Sequence, residues 1–194
     1  KSVNRIVLLS SIQADYSSLL SERLLQGELF VCKQQVSINE NLAGIKHLNR
    51  LENVLARSEW QDNTKKSNAM KSEVRQSYID GLMLNANQHV IEGCMSNLFA
   101  VKGNKLFTPQ LKQSGIKGIM RDAIMEITHK IGLQLEATDL TLDEIYNMDE
   151  LFISNSLIGI KSVTKLGDCH YQKKPTAMIF DQLLKVKEEN VKQV

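Results

Sequence analysis

The sequence has few aromatic residues and no long apolar run. Aromatic residues make up 5% of the 194 positions, so the bases of a single-stranded nucleic acid would find few side chains on which to stack. The 24 basic and 22 acidic residues leave a formal net charge of +2. The basic residues are spread along the chain, which argues against binding to a phosphate backbone. No apolar run reaches the roughly 20 residues of a membrane span, and no signal peptide is predicted. We therefore expect a cytoplasmic protein that binds neither nucleic acid nor membrane.

Cysteine and histidine are too sparse, and too widely spaced along the chain, to predict a metal site. The three cysteines, Cys32, Cys94 and Cys169, are odd in number. They form neither a disulfide framework nor a CxxC pair, so we expect reduced thiols. The four histidines show no ligand-like spacing with each other or with cysteine. We predict no bound metal.

The first 38 residues predict two strands with a connection between them. The apolar run 6–12 predicts a buried strand. Residues 15–26 are typical of a helix or a linker that ends at Gly27. A second strand is predicted for 29–38, because Val, Ile and Phe are frequent there.

The period of the apolar residues changes at His47. From there they recur at three and four positions, which predicts a helix with one apolar face that continues to about Trp60. The apolar positions of this helix are Leu48, Leu51, Val54 and Leu55. Residues 61–77 are mainly polar, so they predict a solvated surface insertion after the helix.

Residues 81–108 predict short strands joined by tight turns. The strands are predicted at 81–84, 90–91, 97–102 and 105–108. Residues 85–88 are typical of a hairpin turn. Gly103 and Asn104 form a two-residue hairpin connection, since both residue types accept a positive φ.

A glycine-containing loop at 113–119 is predicted to open a helix that stops at Gly132. The apolar face of this helix consists of Met120, Ala123, Ile124, Ile127 and Ile131. Thr141 and Glu144 have the spacing of a capping box and predict a short helix.

The last part of the chain predicts a strand at 151–153 that delivers residues 154–156 to its end, and a turn at 167–168. A closing helix is predicted from Thr176. Its inward residues are expected to be Ile179, Phe180, Leu183 and Leu184. Strands and helices mixed in this order, with several hairpins, predict an α+β fold.

Three features of this pattern suit one kind of chemistry. Lys46 lies near the start of a predicted helix, and an amine that forms a Schiff base needs a desolvated site that lowers its pKa. Glu92 lies between two short strands, and a carboxylate can hold the ring nitrogen of a pyridine cofactor in its charged form. The turns at 114–119 and 154–156 contain small residues whose amides suit a phosphate, above all at a helix N-terminus.

Four segments resemble a known family in the same order along the chain. They are LAGIKHLNRLENVL at 42–55, IEGCMSNLF at 91–99, GIKGIMR at 115–121 and ISNS at 153–156. These segments are similar to those of the 4-amino-4-deoxychorismate lyases. That family belongs to the fold-type IV pyridoxal-phosphate enzymes, together with the branched-chain and D-amino-acid aminotransferases. The resemblance covers about 110 residues.

The resemblance implies roles for three side chains. Lys46 would bind pyridoxal 5′-phosphate as a Schiff base and act as the catalytic proton carrier. Glu92 would pair with the pyridine nitrogen. Asn97 would support the cofactor or the residues behind it.

The resemblance also implies a phosphate site made mostly of backbone groups. The amides of Ile119 and Met120 would bind the phosphate, and Asn155 and Ser156 would contribute a second clamp. Aminotransferases often have threonine where this chain has Met120, so a side-chain contact to the phosphate is not expected there.

The same resemblance implies a domain division and a partner. The chain would be the larger C-terminal domain of the fold-type IV enzymes, with most of the small N-terminal α/β domain absent. Residues 1–13 would be the last strand of the small domain, 14–27 an interdomain linker and 28–194 the large domain. The family implies a homodimer, so the expected partner is a second copy of the chain.

Three readings of the function remain open. The lyase reading converts 4-amino-4-deoxychorismate to 4-aminobenzoate and pyruvate, in folate biosynthesis. The amino-acid sequences of segments 46–51 and 118–121 are more similar to those of the lyases than to those of the aminotransferases. A branched-chain or D-amino-acid aminotransferase would use the same groups and release a keto acid. A non-catalytic remnant domain that serves in dimerisation is the third reading.

Overall fold

The computed structural model describes residues 25–69, 78–172, 176–182 and 185, with the backbone alone for 61–69. Within these residues a single mixed sheet carries the fold, in the strand order β3-β2-β1-β8-β7-β4-β5-β6, and a ninth strand pairs with β8. The strands are β1 (Leu25–Val31), β2 (Tyr78–Leu84), β3 (Val90–Gly93), β4 (Asn97–Lys102), β5 (Lys105–Pro109), β6 (Gln134–Thr138), β7 (Glu150–Asn155), β8 (Gly159–Leu166) and β9 (Cys169–His170). The helices are α1 (Leu51–Ala69), α2 (Ile119–Lys130) and α3 (Leu142–Tyr146). The α+β prediction is confirmed.

The sheet combines hairpins with long-range parallel pairs. The pairs β4–β5, β7–β8 and β2–β3 are antiparallel, whereas β1 runs parallel to both of its neighbours, β2 and β8. The edge strand β3 contacts β4 and β5, so the sheet curls back on itself. This curl brings the 93–97 connection next to the loop that precedes α2.

The predicted hairpins are confirmed. Lys102 pairs with Lys105 across Gly103, whose φ is +57°. The 85–88 turn joins β2 to β3, and the 167–168 turn joins β8 to β9. Each of these turns is specified by residues adjacent in sequence, which is why the pattern of the chain was sufficient to find them.

The helix α2 ends at Lys130, two residues before the predicted stop at Gly132. Its predicted apolar face is confirmed, because Ile124 and Ile127 are buried and Met120 and Ile131 pack against the same cluster. The parallel rings of Phe99 and Phe152, 4.9 Å apart, lie at the centre of that cluster.

The capping box of α3 is also confirmed. The Glu144 amide donates to Thr141 Oγ1 at 3.3 Å, and the Thr141 amide donates back to the Glu144 carboxylate at 2.7 Å. In the closing helix, residues 176–182 are helical, with Ile179 and Phe180 buried as predicted. Leu183 and Leu184 lie outside the described residues.

Three predictions near the start of the chain were wrong in extent. The strand predicted at 29–38 is β1, which begins at Leu25 and ends at Val31; beyond it only Val36 makes an isolated bridge, to Asn85. The helix predicted from His47 begins at Leu51, because the preceding loop pairs with residues 115–117 instead. That helix continues to Ala69, into the segment predicted as a solvated insertion.

The predicted apolar face of α1 does not pack on the sheet. Leu51, Val54 and Leu55 are exposed, and α1 instead buries Ala56 completely, with Trp60 against the same cluster.

The predicted domain division is not tested by this structure. Residues 1–24, which include the strand predicted at 6–12 and most of the predicted linker, lie outside the described residues. Within the predicted linker range, Leu25–Gly27 belong to β1.

Candidate functional site

The loop at 114–118 is the point where the candidate site residues meet. The Gly44 amide donates to the Gly115 carbonyl at 2.9 Å, and the Lys117 amide donates to the Gly44 carbonyl at 3.0 Å. Gly44 and Ile116 form a parallel bridge. Two residues beyond Gly44 the chain reaches Lys46, so this pairing fixes the backbone that carries the lysine beside the loop before α2.

Glu92 lies on β3 with 3% of its side chain exposed. Its Oε2 accepts a hydrogen bond from the Ile116 amide at 2.7 Å, and Arg50 Nη2 donates to its Oε1. Burial raises the pKa of Glu92, whereas the Arg50 charge, the Ile116 amide and the Asn53 side chain oppose that rise. The carboxyl therefore has one donor on each oxygen and keeps further lone pairs for another donor.

Asn97 holds the next peptide group along the chain, on the carbonyl side of Ile116. Its Nδ2 donates to the Ile116 carbonyl at 2.7 Å from the start of β4. Gly118 leaves room for this side chain, because a Cβ at that position would overlap Asn97 Oδ1. Gly115 has a φ of +86°, and a Cβ there would lie 2.7 Å from Ile91, so glycine is required on both counts. Ile116 is thus fixed through its backbone, by Glu92 at the amide and by Asn97 at the carbonyl.

The N-terminus of α2 has no side-chain cap. Gly118 is the N-cap, with an extended backbone (φ −76°, ψ 144°), and no side chain accepts from the first amides of the helix. Ile119 is exposed. The Met120 side chain packs against the core, so at that residue only the amide faces an incoming group. Free amides at the positive end of a helix suit an anion.

The side chains of Lys46, Asn155 and Ser156 do not show the contacts expected of a cofactor site. Lys46 is exposed, so the described residues do not supply the desolvated environment expected around it. Asn155 Nδ2 donates to the Met95 carbonyl at 2.8 Å, and its Oδ1 accepts from the amides of Leu157 and Ile158. Its side chain is therefore committed to the turn after β7. Ser156 is exposed in that turn. The phosphate role implied for Asn155 and Ser156 stays a prediction.

The structure brings Glu92, Asn97 and the start of α2 to one loop, and it bonds Gly44, two positions before Lys46, to the same loop. It also adds two groups that the sequence did not single out. Arg50 pairs with Glu92 across 42 positions of sequence, and the Ile116 backbone connects Glu92 to Asn97. Arg50 follows Lys46 by four positions, and this spacing was the one sequence feature that linked the two. Nothing in the pattern distinguished Ile116.

Two of the cysteines meet in the fold although 62 positions separate them. Cys32 Sγ lies 3.7 Å from Cys94 Sγ, and both residues are buried. They reach each other over Gly81, where a Cβ would lie 2.5 Å from Cys32 Sγ. The hydrogen bond to Cys94 and burial raise the pKa of Cys32 far above its usual range.

Among the described residues, no three potential ligands of the His, Cys, Asp and Glu types gather to hold a metal ion. Within the same part of the chain, none of the helices is long and apolar enough to cross a membrane.

A comparison against protein families assigns most of the chain to one family. Residues 8–166 match the family Amino-transferase class IV, and the chain belongs to this family.

Individual relatives include both lyases and aminotransferases. The chain is 39% identical over 140 residues to the aminodeoxychorismate lyase of Vibrio harveyi, covering 72% of this chain and 47% of that protein. It is 36% identical over 89 residues to the branched-chain-amino-acid aminotransferase of Escherichia coli K12, covering 46% of this chain and 29% of that one. The structure of 4-amino-4-deoxychorismate lyase from Pseudomonas aeruginosa matches with a TM-score of 0.71 and 34% identity, over 82% of this chain and 54% of that one. The chain spans about half the length of these two lyases.

Proposed function

We propose that this chain is the cofactor-binding part of a pyridoxal-phosphate lyase that converts 4-amino-4-deoxychorismate to 4-aminobenzoate and pyruvate. The observation that carries the proposal is the buried Glu92 carboxylate, held by the Ile116 amide beside the uncapped start of α2. The likeness to the Vibrio harveyi lyase, which extends over most of the chain, supports the choice of reaction.

The described residues fit pyridoxal phosphate at both of its charged ends. The amides of Ile119 and Met120 are available to the phosphate, and Glu92 retains lone pairs for the N–H of a pyridinium ring. When bound, the cofactor supplies a positively charged ring that draws electrons from the substrate carbon attached to it. Glu92 preserves that charge, and its hydrogen bond from the Ile116 amide keeps the carboxylate from turning away.

Lys46 has two tasks in this proposal. Its amine would hold the cofactor covalently, and once freed it would act as the base that removes the proton from the substrate ring carbon bearing the amine. The electron pair left on that carbon would become a C=C bond to the neighbouring ring carbon as the ether C–O bond of that neighbour breaks. The enolpyruvyl group leaves and gains a proton to become pyruvate, and the ring that remains is the aromatic ring of 4-aminobenzoate. Lys46 is exposed in the described part of the chain, so it is accessible to both the cofactor and the substrate.

An aminotransferase is the second candidate, favoured by the likeness to the Escherichia coli branched-chain enzyme. The same lysine would then return the proton to the cofactor instead of assisting the departure of the enolpyruvyl group. The two activities differ in where the proton goes, and the residues described here serve both.

The proposal extends to location, assembly and domains. We infer a cytoplasmic enzyme of folate biosynthesis that acts as a homodimer, with residues 1–13 in a small domain, 14–27 as a linker and 28–194 as the large domain. The inference of a homodimer rests on the family to which the chain belongs.

The test is a paired assay on full-length protein loaded with pyridoxal phosphate. One arm offers 4-amino-4-deoxychorismate and follows 4-aminobenzoate by its fluorescence. The other arm offers leucine or D-alanine with 2-oxoglutarate. We expect product in the first arm only, together with a visible absorption band from the lysine-bound cofactor.

Two lysine variants make the assay specific. Lys46→Ala should abolish both the band and the turnover, whereas Lys130→Ala, an exposed lysine at the far end of α2, should retain both. Turnover only in the second arm would replace the lyase with an aminotransferase. A protein that stays colourless with added cofactor would contradict both and favour a non-catalytic domain.

A further inference from the structure

Arg50 contacts the Glu92 carboxyl on the oxygen that the backbone leaves open. Its Nη2 donates to Oε1, while the Ile116 amide donates to Oε2 at 2.7 Å. The two side chains are 14% and 3% exposed, so water screens the pair weakly. The guanidinium thus places a positive charge and an N–H donor on Oε1, and with the Ile116 amide on Oε2 the carboxyl is held at both oxygens.

The other charged groups near Glu92 do not duplicate this contact. Glu52 is 3.9 Å from Arg50 Nη1 and lies on the guanidinium rather than on the Glu92 carboxyl. On the neighbouring strand, Asp80 is committed to the next turn, where it accepts from Ser96 Oγ at 2.6 Å and from the Met95 amide at 3.2 Å. The Cys94 thiol is also close to Asp80 and pairs with Cys32. Arg50 is therefore the cation that faces Glu92 in the described part of the chain.

A partly open cavity lies beside Arg50. A cavity of about 160 Å³ is lined by Arg50, His47, Asn39 and Ser114, among others. Arg50 Nε and His47 Nδ1 are buried without a hydrogen-bond partner in the described residues. The Nη2 end of the guanidinium, in contrast, is directed to Glu92.

We propose that Arg50 is a positioning residue, which holds Glu92 as an oriented carboxylate so that it can accept the N–H of the pyridine ring. This role rests on the proposed cofactor. Its physical basis is the balance at Glu92: burial alone favours the neutral acid, and a neutral acid would not stabilise a pyridinium ion. Arg50 shifts the balance towards the charged form before the cofactor arrives.

The first measurement needs no cofactor. In full-length protein labelled with ¹³C at the glutamate carboxyls, the Glu92 resonance is assigned by its absence in Glu92→Gln, and its titration midpoint is followed with pH. We expect a higher midpoint in Arg50→Met than in the unchanged protein, with Arg50→Lys in between because it restores charge without the planar fork. Equal midpoints in all three proteins would overturn the proposal. If Arg50→Met does not fold, Arg50→Gln takes its place.

The second measurement asks whether Arg50 acts through Glu92. Pyridoxal phosphate is titrated by absorbance into the unchanged protein, Arg50→Met, Glu92→Gln and the double variant. We expect Arg50→Met to weaken binding about tenfold or more when Glu92 is present, and to have little further effect when Glu92 is already Gln. Equal losses in the two backgrounds would overturn the proposal, because they would indicate a structural role independent of Glu92.

Arg57→Met is the matched control, since Arg57 is an exposed arginine on α1 that stacks near Trp60. It should leave both the Glu92 midpoint and cofactor binding unchanged. The two measurements also separate this proposal from the proposed function. If the unchanged protein binds no cofactor but the Glu92 midpoint moves with Arg50, the function fails and the Arg50–Glu92 coupling stands.

Discussion

Replacing Gly118 with alanine should destabilise the protein through Asn97. The backbone of Gly118 is ordinary for any residue (φ −76°), so strain has no part in the effect. The added Cβ would overlap Asn97 Oδ1. Asn97 would then rotate and lose its 2.7 Å bond to the Ile116 carbonyl, which leaves a buried amide without a partner. That loss costs about 1–3 kcal/mol, and alanine is a poorer N-cap than glycine by up to about 1 kcal/mol. We expect a total loss of about 1–4 kcal/mol in the free energy of unfolding, measured in urea by circular dichroism.

A double-mutant cycle isolates the steric part of this effect. With Asn97→Ala already in place, the new methyl group has room, so Gly118→Ala should cost only the capping difference. Gly132→Ala, just beyond the other end of α2, serves as a second reference: it has free space but a φ of +73°, and it should cost about 1 kcal/mol from backbone strain alone. The reasoning is refuted if Gly118→Ala costs the same with and without the Asn97 side chain.

Further predictions concern the thiols and the cap of α3. With iodoacetamide under native conditions, mass spectrometry should find Cys169 alkylated first, because it is half-buried while Cys32 and Cys94 are buried and pair with each other; early labelling of Cys32 would contradict the packing. Thr141→Ala should lower the free energy of unfolding by about 1 kcal/mol, since it removes an N-cap, and unchanged stability in urea would count against the cap. The hydrogen bonds from Thr141 hold the pKa of Glu144 below its usual range. The stability they contribute is therefore present above the pKa that Glu144 has in the unfolded chain, and it is lost as the pH falls through the lower pKa of the folded protein. Unfolding curves in acid should show this loss, and Thr141→Ala should diminish it.

Local pattern was enough to predict most of the elements. The turn at 103–104 and the Thr141–Glu144 capping box depend on residues two or three positions apart, and the apolar period of α2 depends on residues within one helix. Such features remain in place whatever the chain contacts later. The order of the four motifs predicts that Lys46, Glu92 and the start of α2 belong to one site, and the shared function of these residues stays a prediction.

Long-range pairing explains what the pattern did not predict. The segment 47–50 has helical spacing, but the loop before it is bonded to residues 115–117, and that pairing delays the helix to Leu51. The contact of Arg50 with Glu92 and that of Cys32 with Cys94 span 42 and 62 positions. No local rule relates residues at such separations, because the curl of the sheet and the course of the 39–50 loop create the contact.

The place of β1 in the sheet has a consequence for synthesis on the ribosome. One of its edges pairs with β2, but the other pairs with β8, and Thr164 Oγ1 donates to the Gly27 carbonyl across 137 positions of sequence. An emerging chain therefore carries β1 with an unpaired edge until residues 159–166 have left the exit tunnel. Contacts of this separation slow folding, and an open strand edge is a place where nascent chains associate with one another. We expect the yield of soluble protein to depend on how quickly the last third of the chain is translated.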